Sequence, residues 1–220
     1  MRLPFAHLEE PTMNAVQLSC TAPPGELGIP VLEAERLLLR APALADAPAI
    51  AALANNRKVA EMTSSMPYPY QVEDAEAWIS GKADQAPEVA FAIFEKKGGA
   101  FVGICSYEWR EETIPEIGYW AGEPFWGRGY GTEAVRAMID HAFTATNLES
   151  LAASCRVTNV ASRRVLEKCG FQWTGAGLCR VRALRSSVPS DRFRLDRRTW
   201  ASLRAWGKTR LPSRRKAPRG

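Results

Sequence analysis

Histidine is nearly absent from this chain, which has only His7 and His141 in 220 residues. Its five cysteines, Cys20, Cys105, Cys155, Cys169 and Cys179, are odd in number and contain no C-x-x-C spacing. Zinc-type clusters need several such ligands at close spacing, so no metal site is expected, and reduced, mostly buried thiols are the reading. Long apolar runs are missing too: no 18 consecutive apolar residues occur, and no apolar block followed by a small-residue cleavage site follows Arg2. No membrane-spanning helix and no secretory leader are therefore expected, and the expected location is the cytoplasm. No internal repeats are visible. Acidic residues are absent from 204–220, which carries seven Lys/Arg, while the rest of the chain has 22 basic against 24 acidic residues. The net charge of +5 is therefore a property of the C-terminal end. A solvated basic tail accounts for it, so nucleic acid is not an expected partner, although ribosome association stays open.

What is present is enough apolar residue, 46% of the composition, for one sizeable core. Residues 1–30 hold five of the fifteen prolines and no sustained periodicity, and read as a flexible or draped extension. A folded domain over 31–203 and the basic tail 204–220 complete the division. Glu35 to Arg40 reads as a first strand. Asp46 then stands as a helix N-cap with Pro48 in the first turn, and the helix runs to about Asn56. The segment Met62 to Tyr70, rich in Met, Tyr and Pro, reads as a loop, and a helix over about 73–82 should bury Ala77 and Trp78. Val89–Phe94 and Phe101–Trp109 flank Lys97-Gly98-Gly99 as an antiparallel hairpin, and Ile114 to Trp120 extends it into a meander. Ala134, Val135, Met138, Ile139, Ala142 and Phe143 recur at helical spacing over 132–143. Leu151–Val157 is a further strand. Asn159 opens a short helix that Gly170 stops, Arg180 to Ser190 reads as a loop, and Arg192–Leu195 is a last strand before a short helix near Trp200.

The stretch Gly118 to Thr132 is the one with evident chemistry. Gly127, Gly129 and Gly131 remove Cβ atoms and permit φ > 0 in a turn that feeds a helix near Tyr130. The helix end aims unsatisfied N–H groups and its positive dipole at whatever lies over the turn, which suits a phosphate. A P-loop is excluded, because no Lys-Ser/Thr follows the glycines. Gly129-x-Gly131-x-x-Ala134 does fit a dinucleotide fingerprint. However, it comes mid-chain after a meander, with no acidic residue at the end of a following strand for a ribose.

Arg36-Leu-Leu-Leu-Arg40, Glu116-Ile-Gly-Tyr-Trp120, Trp126-Gly-Arg-Gly-Tyr-Gly-Thr132 and Asn159-Val-Ala-Ser162, in that order, resemble the GNAT superfamily of N-acetyltransferases, in its RimJ/RimL-type branch. The resemblance spans roughly residues 33–200 and implies an α+β fold: a mixed, mainly antiparallel, splayed central sheet flanked by helices. It also implies acetyl-CoA as co-substrate, its pyrophosphate held by the main chain of about 128–132. Trp126 stands where the superfamily usually has Arg or Gln, and Arg128 adds charge or is simply solvated.

By the same resemblance Tyr119, Trp120 and Ala121 contact pantetheine, largely through backbone. The full expected cofactor set is Tyr119, Trp120, Ala121, Trp126, Gly127, Arg128, Gly129, Tyr130, Gly131, Thr132, Asn159 and Ser162. Attack of an amine on a thioester needs a proton acceptor and a partner for the leaving sulfur. Glu116 is the candidate base, with Glu108 and Glu111 behind it. Ser162 and Asn159 are the candidates on the leaving-group side, and both also suit helix capping. His141 is expected to be exposed and structural. The acceptor is a primary amine, on a small molecule or a protein N-terminus, and the protein is expected to be a monomer or homodimer. A catalytically inactive acyl-CoA-binding sensor or scaffold is the alternative.

Overall fold

Val89 to Ile93 is an unbroken apolar run, and every residue in it is buried, as expected of a strand covered on both faces. Alternate side chains enter two separate cores. Val89, Phe91 and Ile93 join one, and Ala92 and Phe94 face the other. The molecule is thus a sheet between two helical layers. A computed structural model describes residues 28–84, 88–109 and 114–208.

In chain order the elements are β1 (Leu32–Glu33), β2 (Leu37–Arg40), α1 (Ala47–Ala54), α2 (Arg57–Ala60), α3 (Val72–Asp84), β3 (Glu88–Glu95), β4 (Phe101–Glu108) and β5 (Glu116–Ala121). Then follow α4 (Tyr130–Ala145), β6 (Ser150–Arg156), α5 (Val160–Lys168), β7 (Gln172–Val181), β8 (Ser186–Asp196) and α6 (Arg197–Lys208). The eight strands form one sheet in the order β1-β2-β3-β4-β5-β6-β8-β7. All pairings are antiparallel except β5 with β6. That parallel pair holds only at Glu116↔Ala152 and Ile117↔Ala153, although β5 runs on to Ala121 and β6 to Arg156. The sheet therefore splays open at its centre. The mixed, mainly antiparallel, splayed architecture expected from the sequence is the one found.

Helix α4 lies where its periodicity puts it, with Ala134, Val135, Met138, Ile139, Ala142 and Phe143 all buried. Several local expectations need correction. The first expected strand is shorter, 37–40, and a two-residue strand precedes it. Asp46 occupies the N-cap position of α1 without capping it. Its carboxylate is drawn away by Arg40, at 2.7 Å to each oxygen, and by the Ala43 N–H at 2.8 Å. In α3 the buried residue is Ala75, while Ala77 is exposed and Trp78 half-buried. Residues 180–190 are no loop, since β7 and β8 form a long hairpin closed by residues 182–185. The strand period is hidden because the more covered positions of β7 are mostly small, Gly175, Gly177 and Cys179, while Leu178 faces solvent at the sheet's edge. Helix α6 is longer than expected and carries the chain through residue 208, four residues past the start of the basic segment. Residues 1–27 of the extension, and 209–220 of the tail, lie outside the described residues. His141 is half-buried rather than exposed, edge-on to Phe91 at 5.5 Å. Cys105, Cys155 and Cys169 are buried free thiols.

Candidate active site

The splay between β5 and β6 opens into a cleft of about 1410 Å³ that reaches from the glycine turn to the loop after α2. Ladder alternation sets what its β5 wall offers. Gly122 N–H donates to Val102 of β4, so Gly122, Trp120 and Gly118 share the β4 side. The N–H and C=O of Tyr119 and Ala121 therefore point into the splay, and the Ala121 carbonyl there accepts the Trp126 Nε1–H at 2.7 Å. Trp120 offers its side chain to the cleft, packed edge-on against Phe101.

At the head of the cleft, Gly127 and Gly129 adopt φ of 74° and 82°, and Gly129 is the residue from which α4 starts. Gly131 differs from both, having no positive φ and lying inside the first turn of α4. The expectation that all three glycines serve the turn's backbone thus holds for two. Gly131 keeps a side chain out of the cleft, as do Gly127 and Gly129 beside it. Tyr130 and Thr132 also line this end. Arg128 does not: it is exposed, its guanidinium 4.0 Å from Glu95 and 5.7 Å from the Phe125 ring.

A residue the sequence reading passed over holds this turn in shape. Arg36 donates from Nη1 to the Arg128 carbonyl at 3.0 Å and from Nε to Glu133 at 2.8 Å, and its backbone N–H reaches the same carboxylate. Its guanidinium lies 4.7 Å from the Tyr130 ring centre. The Tyr130 hydroxyl donates to Glu95 at 2.5 Å, and that hydrogen bond raises the Tyr130 pKa. Arg36 was visible only as part of a strand motif, since its partners lie 92 and 97 residues away.

Across the cleft, the Asn159 side chain accepts the Ser162 N–H at 3.0 Å and so caps α5. Ser162 Oγ lies 2.8 Å from the Tyr119 hydroxyl, which also reaches the Ser162 carbonyl at 3.0 Å. Burial pushes the Tyr119 phenol well above its ordinary value, against the smaller opposing effect of Ser162. Cys155 is beside Ser162, and its thiol is likewise raised by burial. Both stay protonated near neutrality.

Farther in, Glu116 accepts a hydrogen bond from Ser154 Oγ at 2.5 Å, and Glu108 stands opposite it in register on β4. Both line the cleft. Glu111 lies outside the described residues. Met62, Met66, Tyr70 and Trp78 form an apolar wall here. Two hydrogen bonds bridge this end: Arg182 N–H to the Ser64 carbonyl at 2.9 Å, and Arg156 to the Glu61 carbonyl at 2.6 Å. The cleft therefore presents a phosphate-type cradle at one end, a strand edge along its middle, and a roofed pocket with carboxylates at the other.

The acetyltransferase (GNAT) domain family matches residues 36–172. The chain belongs to the GNAT acetyltransferase family. It is 30% identical over 148 residues to uncharacterized N-acetyltransferase p20 of Bacillus licheniformis, covering 66% of this chain and 83% of that one. It is 34% identical over 83 residues to the ribosomal-protein-serine acetyltransferase of Escherichia coli, 37% of this chain and 45% of that one. In fold it resembles Mycobacterium smegmatis RimJ in complex with CoA-disulfide, with a TM-score of 0.69 at 22% identity over 82% of this chain and 96% of that one. This GNAT protein is an acetyl-CoA-dependent N-acetyltransferase, and its acceptor is an amine. Among the described residues no helix is long and apolar enough to cross a membrane.

Proposed function

We propose that this acetyltransferase acts on the primary amine of a compact acceptor carrying an apolar or aromatic group, taken up end-on beneath the bridge between loop 61–66 and the β7–β8 hairpin. The observation that carries this reading is the cross-strand pair Glu108 and Glu116, two carboxylates in register on the pocket's inner wall beside Met66, Tyr70 and Trp78. Carboxylates side by side attract a cation, and the neighbouring apolar wall suits a hydrocarbon body. The arginines of the hairpin favour an acidic acceptor less, since only Arg182 of Arg180, Arg182 and Arg185 lines the cleft.

Acetyl-CoA lies with its pyrophosphate on the main chain of 127–132 and its pantetheine along the open edges of Tyr119 and Ala121. Main-chain N–H groups at the α4 end bind the phosphates. Glu116 takes the proton that the amine sheds on attack, and Ser154 fixes the carboxylate that receives it. The C–S bond then breaks with its electron pair on sulfur, and the Ser162 hydroxyl donates a hydrogen bond to that thiolate. Asn159 sets the start of α5 and so the position of Ser162.

The test is release of the CoA thiol with a panel of amines: phenethylamine, butylamine, a tripeptide beginning with serine and an acidic tripeptide. Phenethylamine is expected to give the largest kcat/KM. A preference for the acidic tripeptide would overturn the reading. A preference for the serine tripeptide would move the acceptor to a protein N-terminus, in line with the name of the Escherichia coli relative.

A further inference from the structure

The Tyr119 hydroxyl bears one hydrogen but has two acceptors within reach, the Ser162 carbonyl at 3.0 Å and the Ser162 Oγ at 2.8 Å. Two arrangements of the same atoms follow. With the Tyr119 hydrogen on the carbonyl, Ser162 must give its own hydrogen to the Tyr119 oxygen, and the serine is closed off. With the Tyr119 hydrogen on Oγ, the serine hydrogen is released to turn to the cleft or to the Cys155 sulfur beside it. Ser162 lies in the first turn of α5, where its carbonyl also accepts the helical bond from the fourth residue on, so giving up the Tyr119 hydrogen leaves no backbone acceptor unpaired. The exchange costs only a rotation of two hydroxyls.

We infer that Tyr119 is a positioning residue for acetyl transfer, one that turns Ser162 from a closed to an open hydrogen-bond donor when the thioester sulfur arrives. Tyr119 touches neither reacting atom; it acts through Ser162. As the amine nitrogen bonds to the carbonyl carbon and the C–S bond breaks, the electron pair stays on sulfur. The sulfur receives the Ser162 Oγ–H hydrogen bond, and the Oγ in turn receives the Tyr119 O–H. No proton leaves Tyr119, and the one shed by the amine goes to Glu116. A serine that accepts one hydrogen bond while donating another is the better donor, because each bond in such a chain polarises the next. The phenol suits this duty, since burial keeps it protonated across the working range. Its place on β5, with its backbone on the pantetheine edge and its side chain reaching α5, ties the two walls of the splay at the depth where the thioester would lie.

The inference rests on the reading of Ser162 as the leaving sulfur's partner, and the experiment separates the two. Single-turnover acetyl transfer is measured for wild type, Tyr119→Phe, Ser162→Ala and the double variant, with the fastest amine of the panel above, alongside acetyl-CoA affinity and thermal unfolding. Each single change is expected to slow transfer about tenfold, the value of one charged hydrogen bond near 1.4 kcal/mol. Affinity for acetyl-CoA should shift less than twofold, and the double variant should be no slower than Ser162→Ala alone. If Ser162→Ala transfers at the wild-type rate, the reading of Ser162 falls and the inference with it. If Ser162→Ala is slow but Tyr119→Phe is normal, or the two losses multiply, the coupling of Tyr119 through Ser162 is wrong while the role of Ser162 stands.

Discussion

Arg36 and Glu133 form a two-point contact, backbone N–H to one carboxylate oxygen and Nε to the other, beneath the glycine turn. Glu133 lies in the first turn of α4, where the helix dipole favours an acid. That same charge would repel a pyrophosphate over the turn. Arg36 offsets it, and with the bond from its Nη1 to the Arg128 carbonyl it also fixes the loop's shape before a ligand arrives.

Replacing Arg36 with Ala should therefore leave Glu133 uncompensated and the loop slack. We expect acetyl-CoA to bind about tenfold more weakly, the worth of one charged hydrogen bond, with the transfer rate at saturating acetyl-CoA little changed. Isothermal titration and kcat measured together check this. A loss confined to kcat would show that Arg36 serves the chemistry instead.

Gly129 and Gly131 should respond differently to the same substitution. An alanine at Gly129 must adopt φ near 82°, costing about 1–2 kcal/mol of stability. At Gly131 the added Cβ meets only ordinary contact, 3.7 Å from Val165, in helical backbone. There Gly→Ala is expected to stabilise the helix by about 0.5–1 kcal/mol while weakening acetyl-CoA binding. Thermal unfolding with and without acetyl-CoA separates the two effects; equal loss of stability in both variants would contradict the distinction.

Asp46 ties β2 to α1 through Arg40. Burial works against its charge, but the hydrogen bonds from Arg40 and the Ala43 N–H prevail and hold its pKa below the ordinary carboxylate value. A depressed folded pKa means stability that is present above the unfolded pKa, near 4, and lost as pH falls through the folded one. Asp46→Asn should therefore cost about 1–2 kcal/mol at pH 7, allowing for screening of the partly exposed Arg40. The gap to wild type in urea unfolding should close as pH drops below about 4. A gap that stays constant down to the acid limit would remove the ion pair from the account.

The glycine turn, the buried face of α4 and the Asn159 cap were legible in the sequence because each is local: a spacing, a period or a cap residue declares itself within a few positions. What was not legible is long-range. Nothing near Arg36 announces Glu133, and Tyr119 reads only as a backbone contact for pantetheine until α5 brings Ser162 against its hydroxyl. The β7–β8 hairpin was misread for a different reason. Leu178 and Trp173 are exposed along with its arginines, while the more covered alternate positions of β7 are Gly175, Gly177 and Cys179, so burial alternates without an apolar alternation in the sequence to reveal it. The bridge over the inner end of the cleft depends on the hairpin through the Arg182 to Ser64 bond, so it too was out of reach.

Two features of its setting support Glu116 as the proposed acceptor of the amine's proton. It stands at the apex of the splay, where β5 and β6 still pair, and Ser154 from the facing strand fixes one of its oxygens at 2.5 Å. Glu116→Gln keeps the size and the hydrogen bond to Ser154 but removes the basicity, so turnover should fall about 10²–10⁴-fold with acetyl-CoA affinity unchanged. Ser154→Ala leaves the base but frees its orientation, and should lower turnover by a smaller factor, about tenfold. A Gln variant with normal turnover would assign the proton to Glu108 or to solvent.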